Sequence, residues 1–375
     1  MTEDFSHSVS TEQIRRLAVD TGFAEAGIVG LPHANEALDG ARFAAWIEAG
    51  HAGSMHYLER RNEQGELLRL AAQIPFPWAR SAIVTLASYN SDAPNSIYAH
   101  PEGSGWIARY AWSSRVDAQG LRRPSDYHKV LKKRIETLEA RLRDTLPEKT
   151  FEARGFVDTG PVNERALARA AGLGWGGKNC CLIHPKLGSF VFLSVLFTSL
   201  EIAPEQQPTL VADHCGRCRR CIDACPTGAL LDARSMDARR CIAYLTIEHK
   251  GVLDEALLPG VGRQVLGCDI CQDVCPWNRK AVVTHDADLR PRAELLNPDL
   301  DALGSLTETE FEKKFNGSPI RRAGYLGLLR NVAVAMGNSG QARFRPRLEA
   351  WAQAENEPLR AAAGWALGRL TLSLK

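Results

Sequence analysis

The run HCGRCRRCIDACP constrains this chain most. It sets Cys215, Cys218, Cys221 and Cys225 in C-x2-C-x2-C-x3-C-P order, closed by Pro226. That spacing is the bacterial ferredoxin run, whose thiolates hold the iron of a [4Fe–4S] cluster and whose fourth cysteine ligates a second cluster. A second run is therefore required, and GCDICQDVCPWN supplies it: Cys268, Cys271 and Cys275 reproduce the last three cysteines, followed by Pro276. The first cysteine of that run would fall at Val265, so Cys241 is the remaining candidate ligand nearby. The expected ligand sets are Cys215, Cys218, Cys221 and Cys275 for one cluster, and Cys225, Cys241, Cys268 and Cys271 for the other. A zinc site needs four ligands and leaves the other cysteines and both Cys-Pro closures unexplained. A disulfide framework needs an oxidising compartment.

A chain of 375 residues can bury substantial cores and is expected to form two or three domains. The net charge of +2 gives no bulk electrostatic reason to bind nucleic acid, so any such site must be a local patch. The first residues, MTEDFSHSVSTEQ, lack the basic and apolar regions of a signal peptide. The longest apolar run, Phe190 to Leu200, is too short to span a bilayer. The expectation is a cytoplasmic protein with no membrane association, where reduced cysteines suit cluster binding.

In chain order, residues 11 to 22 read as a helix with Thr11 as N-cap, ended by Gly22 and followed by a strand at AEAGIVG. Phe43 to Ala49 reads as a second helix, and SAIVTLAS (81 to 88) as a buried strand. GWIARYAW is aromatic-rich. SSRVDAQGLRRPS, polar and punctuated, reads as a surface loop. Asp126 to Leu142 has helical spacing, with Val130, Leu131, Ile135, Leu138 and Leu142 as its apolar stripe. A short strand, RGFVD, then delivers Asp158 to the turn at Thr159-Gly160-Pro161. A carboxylate there could be a general acid if burial raises its pKa, or it could cap the helix that follows. GLGWGGKN (172 to 179) nearly fits a phosphate-cradling loop, but Asn179 stands where the Mg²⁺-holding hydroxyl should be. Its glycines suit a sharp turn or the close approach of something bulky. SFVFLSVLFT is a further buried strand.

Beyond the cysteines, Leu303 to Phe315 reads as a helix. GLLRNVAVAMGN and EPLRAAAGWALGRL, about 30 residues apart, suggest stacked helical pairs of the HEAT kind. Arg321, Arg322, Arg330, Arg343, Arg345, Arg347, Arg360 and Arg369 make this tail basic, either as a solvated face or as a phosphate-binding patch.

The joint presence of GCDICQDVCPWN, the C-G-R-C-x2-C-x3-C-P-T run, VDTGPVNERALA and GLGWGGKN resembles the epoxyqueuosine reductases, from near residue 12 to the end. The resemblance implies reductive deoxygenation of epoxyqueuosine to queuosine at the tRNA wobble position, using cobalamin and two [4Fe–4S] clusters. It implies an α+β fold in three parts: a cobalamin-binding catalytic domain (1–205), a ferredoxin-like domain (206–290) and a HEAT-like helical domain (291–375). It makes Asp158 the proton donor. By the same resemblance Arg69, Arg109, Asp158, Leu182, Leu193 and Thr227 contact the corrin, the leucines through backbone and apolar surface. An external flavodoxin or ferredoxin system would supply electrons, and a monomer is expected. The chain departs from the family by inserting about ten residues between ARYAW and DYHK. Cys180 and Cys181, left without a cluster, read as buried small hydrophobes. Two other classes share some of these features: a cobalamin-dependent reductive dehalogenase, expected to carry an export leader, and a ferredoxin-type electron carrier, which would bind no corrin.

Overall fold

Ser81–Ser88 is buried at every position, on both of its faces. Along this strand Ala82, Val84 and Leu86 join Val195, Phe197 and the helix residues Leu167, Ala168 and Ala171 in one apolar cluster. Thr85 and Ser81 point the other way and pair across the sheet, Thr85 with Ser194 at 2.6 Å and Ser81 with Thr198 at 2.7 Å. Each hydroxyl thereby finds a partner without water, as buried polar groups must. The structure, a computed structural model, describes residues 10–202 and 207–372.

The chain falls into two compact units. The first holds the residues up to Asn90, 127–218 and 276–286, and the second holds 91–126, 219–275 and the residues from 287 on. In the first unit α1 (Thr11–Asp20) leads to β1 (Glu25–Gly30), then α2 (Glu36–Glu48), β2 (Ser81–Ser88), α3 (Tyr127–Thr145), β3 (Ala153–Phe156), α4 (Glu164–Ala170) and β4 (Val191–Thr198). The sheet order is β1-β2-β4-β3, with every neighbouring pair antiparallel. The α4 side of the sheet carries the apolar cluster. On α3, Leu131, Ile135, Leu138 and Leu142 are buried as the stripe predicts, while Val130 is half-buried. Gly155 lets β3 meet that helix: a Cβ there would lie 2.8 Å from Ile135. The N-cap of α1 is Ser10 rather than Thr11, because Ser10 and Gln13 close a reciprocal capping box.

In the second unit Trp106–Ile107 pairs with Gln264–Leu266 in parallel. The segment read as a loop after Trp112 is a hairpin: Ser113–Val116 pairs with Arg122–Pro124, and Arg290–Pro291 adds a third strand. Asp117 closes its turn by accepting the Gln119 and Leu121 N–H groups. The polar composition hid the hairpin, since Ser113 and Ser114 are buried despite their hydroxyls.

The two Ala-rich helices run Tyr325–Ser339 and Glu357–Leu372 and pack on each other. Their small residues are required, because a Cβ on Gly337 would stand 2.7 Å from the Ala366 backbone. The single helix expected over Leu303–Phe315 is two, Leu300–Gly304 and Glu308–Lys314, because a Thr307/Glu310 capping box restarts the helix. Several arginines of the basic tail have partners within the chain. Arg321 pairs with Glu312, Arg322 with Glu248 at 2.6 Å, and Arg343 with Asp301 at 3.1 Å. Arg347 donates to the Gly304 carbonyl at 2.8 Å and Arg360 to that of Ala354 at 2.7 Å.

Arg330 is the plainest departure from a phosphate patch: it is 2% exposed and donates to the carbonyls of Leu245, His249 and Gly251. Asn331 beside it donates to the carbonyls of Thr246 and Val265. Arg330→Ala strands three buried carbonyls and is expected to cost about 3 kcal/mol. A thermal melt should show Tm lowered by roughly 5–10 °C, and an unchanged Tm would remove Arg330 from the packing of this unit.

Candidate functional site

β3 ends at Phe156 and the chain turns sharply. Asp158 sits there in the left-handed region, with φ of 58°. A non-glycine residue is rarely held in that region unless its surroundings fix it. Two side chains do so. The Asp158 N–H donates to Glu164 Oε1 at 2.8 Å, and Arg69 donates to the Gly160 carbonyl at 2.9 Å. Arg69 is steadied in turn by donating to the Tyr57 carbonyl at 2.9 Å. The cap of α4 is Asn163, whose side chain accepts the Ala166 N–H. Asp158 is therefore free of the capping role that its position allowed.

The Asp158 carboxylate lies beside an aromatic ledge. Tyr127 donates its hydroxyl to Oδ2 at 3.0 Å, and His128 Nε2 stands 3.4 Å from the same oxygen. Tyr127 stacks flat on Phe192, with centroids 4.1 Å apart and an interplanar angle of 4°, and Phe192 packs on Tyr89 at 4.3 Å. Sequence reasoning missed Tyr127 and His128 as neighbours of Asp158. The first turn of α3 carries them, and only the sheet brings that turn to the end of β3.

Within the chain itself, burial shifts a neighbour of the acid rather than the acid. In the chain alone the Asp158 side chain is 59% exposed. Burial instead pushes Glu164 up to about 8, and the nearby Asp158 charge adds to the rise. Glu164 was legible only as part of VNERALA, where a glutamate in the first helical turn looks like ordinary dipole compensation.

The other corrin candidates divide between the units. Leu182 is buried in the apolar cluster of the first unit, and Leu193 packs against that cluster half-exposed. Arg109 and Thr227 belong to the second unit. Arg109 is 2% exposed, and its guanidinium donates to the carbonyls of Ser91, Ala93 and Pro94 and to Asn95 Oδ1. Its backbone N–H donates to Asp269 at 2.8 Å. That engagement is structural. The Thr227 hydroxyl stands 3.8 Å from the Cys225 sulfur. The glycine-rich loop turns on itself: a Cβ on Gly174 would lie 2.2 Å from the Ile183 carbonyl, and one on Gly177 would lie 2.7 Å from the Ile183 side chain. Those glycines serve the pairing of Trp175–Gly176 with Leu182–Ile183.

Cys275 is buried and Cys218 exposed, and the other eight cysteines are half-buried, Cys180 and Cys181 among them rather than in the core as expected. Cys225, Cys241 and Cys268 lie close enough to interact. Burial pushes the Cys268 thiol well up, and charge on Cys241, Asp269 and Cys225 pushes it further. Thiols crowded in this way are stabilised as thiolates by a bound multivalent cation. The short helices Arg220–Asp223 and Ile270–Asp273, which carry Cys221 and Cys271, pack together. Among the described residues no three His, Cys, Asp or Glu side chains close on a single metal ion. The other residues of the second motif are anchors. Asp269 accepts the Trp106 indole N–H at 3.0 Å, Asp273 accepts Ser96 at 2.6 Å, and Asn278 accepts the Ser189 N–H at 2.7 Å. Trp277, Trp175 and His214 pack edge-on next to the first run, the tryptophans 4.8 Å apart.

Comparison with known proteins places these features. A profile described as a 4Fe-4S double cluster binding domain matches residues 214–278, and one described as epoxyqueuosine reductase QueG matches residues 69–159. The epoxyqueuosine reductase of Xanthomonas campestris is 36% identical over 360 residues, 95% of either chain. The chain belongs to the epoxyqueuosine reductase family. The Pseudomonas aeruginosa epoxyqueuosine reductase is 39% identical over 305 residues, covering 80% of this chain and 78% of its own. Among solved structures, epoxyqueuosine reductase with a tRNA-Tyr epoxyqueuosine-modified stem loop superposes with a TM-score of 0.82. It is 28% identical and covers 96% of this chain and 89% of its own. An epoxyqueuosine reductase structure from Bacillus subtilis, TM-score 0.80 and 28% identical over 96% of this chain and 90% of its own, has its catalytic aspartate loop swung out of the active site. The matched profile makes this family member a two-cluster iron–sulfur protein. Among the described residues no helix is long and apolar enough to cross a membrane.

Proposed function

We propose that this protein reduces epoxyqueuosine in tRNA to queuosine, with Asp158 as the proton donor. The observation that carries the reading is the Asp158 turn, a strained and exposed carboxyl held by Glu164 and Arg69 in a chain matching epoxyqueuosine reductases over nearly its whole length.

The reaction adds two electrons and two protons to the epoxide, breaks both of its C–O bonds, forms the alkene and releases water. The donor sets fit the cofactors that the family implies. Cys215, Cys218, Cys221 and Cys275 would hold one cluster, and Cys225, Cys241, Cys268 and Cys271 the other, the two ferredoxin runs supplying every ligand but Cys241. The ledge of Tyr127 and Phe192, with half-exposed Leu193 beside it in the sequence, suits a flat macrocycle, and Asp158 opens from that ledge. When bound, cobalamin supplies low-potential reductive chemistry at the epoxide carbon, and the clusters supply its electrons singly.

The rest is done by side chains. Asp158 protonates the epoxide oxygen as the first C–O bond breaks, which leaves a hydroxyl on the neighbouring carbon; reprotonated from solvent, it gives the second proton as the second C–O bond breaks and water leaves. Tyr127 orients the acid through Oδ2. Arg69 holds the Gly160 carbonyl, and through it the turn. Arg109 and Thr227 would act through the second unit's framework. Electrons enter from an external one-electron donor of the flavodoxin or ferredoxin type, and the protein works as a cytoplasmic monomer.

The direct test is anaerobic incubation of the iron- and cobalamin-reconstituted protein with epoxyqueuosine-containing tRNA and a low-potential reductant. Digestion and nucleoside analysis should show epoxyqueuosine replaced by queuosine. Bound cofactors with no conversion would end the reading. Tyr127→Phe removes one hydrogen bond to the acid and is expected to lower kcat roughly 3- to 10-fold, with unchanged KM for tRNA. An unaltered kcat would mean that Tyr127 only packs.

A further inference from the structure

We infer that Glu164 is the positioning residue of the catalytic turn, a carboxyl that holds Asp158 in place from a buried position, which it keeps while protonated and leaves for water as it ionises. The inference rests on Asp158 being the proton donor.

Three observations carry it. The Asp158 N–H needs an acceptor, because its left-handed backbone turns it away from the strand ladder, and Glu164 Oε1 supplies one at 2.8 Å. Glu164 is the first residue of α4, which packs on β2 and β4, so the acceptor is mounted on a fixed element. Thr159 closes a tight turn onto the Val157 carbonyl at 2.7 Å, which leaves Asp158 at the apex with its carboxyl outward. The Glu164 contact thus restrains the residue that must meet the epoxide oxygen.

The charges around Glu164 set the sign of its pH dependence. Asp158 faces it from the turn, Arg165 from its own helix and Arg69 from the connection between α2 and β2. Burial and Asp158 disfavour the ionised form more than the two arginines and the Asp158 N–H favour it. The pKa in this conformation is thus raised above the 4.5 of a solvated glutamate, to about 8. A conformation in which Glu164 reaches water has the lower pKa. By linkage, the held turn is most favoured below the lower value and loses ground as pH rises toward the upper one. The Bacillus subtilis structure shows that a family member's catalytic aspartate loop can leave the site.

Glu164→Gln keeps an oxygen acceptor and cannot ionise. Glu164→Ala removes the acceptor. The expected results for the reconstituted enzyme are these. Wild-type kcat falls progressively between about pH 6 and pH 8.5, and the Gln variant loses that limb while matching wild type at the acid end. The Ala variant is at least tenfold slower throughout, with unchanged tRNA KM and cofactor content. His128 also faces Asp158, but it stays in place in the Gln variant, so a limb that vanishes there belongs to Glu164. Hydrogen exchange gives a readout independent of turnover. The peptide spanning 157–161 should exchange faster in the Ala variant, and the ratio of wild-type to Gln exchange, taken at each pH, should rise toward pH 8. A Gln variant that keeps the wild-type limb overturns the ionisation. An Ala variant with wild-type kcat and exchange overturns the positioning. Full activity in Asp158→Asn would instead overturn the proton-donor reading, leaving the exchange result to judge Glu164 alone.

Discussion

Asp158→Asn is expected to lose between about a hundredfold and ten-thousandfold in kcat while keeping both clusters and cobalamin, the range a positioned general acid contributes. The asparagine variant is the sharper choice over Asp158→Ala. The backbone at 158 lies at φ 58°, where asparagine is tolerated and alanine adds strain. Asparagine also keeps an oxygen for the Tyr127 hydroxyl to reach. What it lacks is a proton that can be given away. Single-turnover assays against epoxyqueuosine tRNA, with absorption spectra of the reconstituted variant alongside, separate lost chemistry from lost cofactor. A variant that binds both cofactors and turns over normally would leave the epoxide oxygen to be protonated by solvent. The alanine variant should be as slow as the asparagine one, and any further loss in it reports backbone strain.

The second large effect is expected at Cys241, the proposed cluster ligand that lies outside both runs. Cys241→Ser should lower iron from about eight to about four atoms per chain, leaving the other cluster's EPR signal in place. The reason is local: Cys268 is half-buried with Cys241 and Cys225 beside it, and removing one thiolate opens that shell. Cys180→Ser and Cys181→Ser are the controls and should retain about eight iron atoms. Those two cysteines sit in the loop of the glycine-rich hairpin, where Arg165 donates to the Cys180 carbonyl at 2.8 Å. A Cys241→Ser protein with full iron would assign the fourth ligand elsewhere. Zinc in place of iron in the wild type would overturn both cluster assignments.

The burial of Glu164 also has a consequence for stability. Its folded pKa of about 8 lies above the solvated value, so the folded chain holds this proton more tightly than the unfolded one. The contribution is fully present below about pH 4.5 and declines as pH rises to about 8. The difference amounts to on the order of 5 kcal/mol. Glu164→Gln should therefore melt higher than wild type at pH 8.5 and no higher at pH 4.5.

Much of this protein could be read before any fold was known. Cysteine spacing carried the cofactor chemistry, because thiolates must sit at fixed intervals to wrap a cluster. Residues 81–88 and the α3 stripe were plain because burial on two faces, or on one helical face, leaves a periodic apolar signature. VDTGP placed the acid at a strand end. Several readings failed where a local pattern had two meanings. The serines of 113 and 114 looked like loop and are buried strand. The tail arginines read as a solvated face or a phosphate patch, and Arg330 fits neither, being spent on backbone carbonyls. The glycines of GLGWGGKN read as a sharp turn or as room for something bulky, and it is the chain's own Ile183 that they admit.

By itself the sequence determined which chemistries this protein can hold: two sulfur-ligated clusters, one carboxyl at a turn and a mixed helix–strand framework. Each of those is a matter of residue type and short-range spacing. Tertiary structure alone decided which groups surround that carboxyl. Tyr127 lies 31 positions before Asp158 and Arg69 contacts the turn from 91 positions before Gly160. Whether the acid proton resides at Asp158 or is also held by Glu164 depends on burial and on the distance between two charges. Neither quantity exists until the sheet has folded and α4 has packed against it.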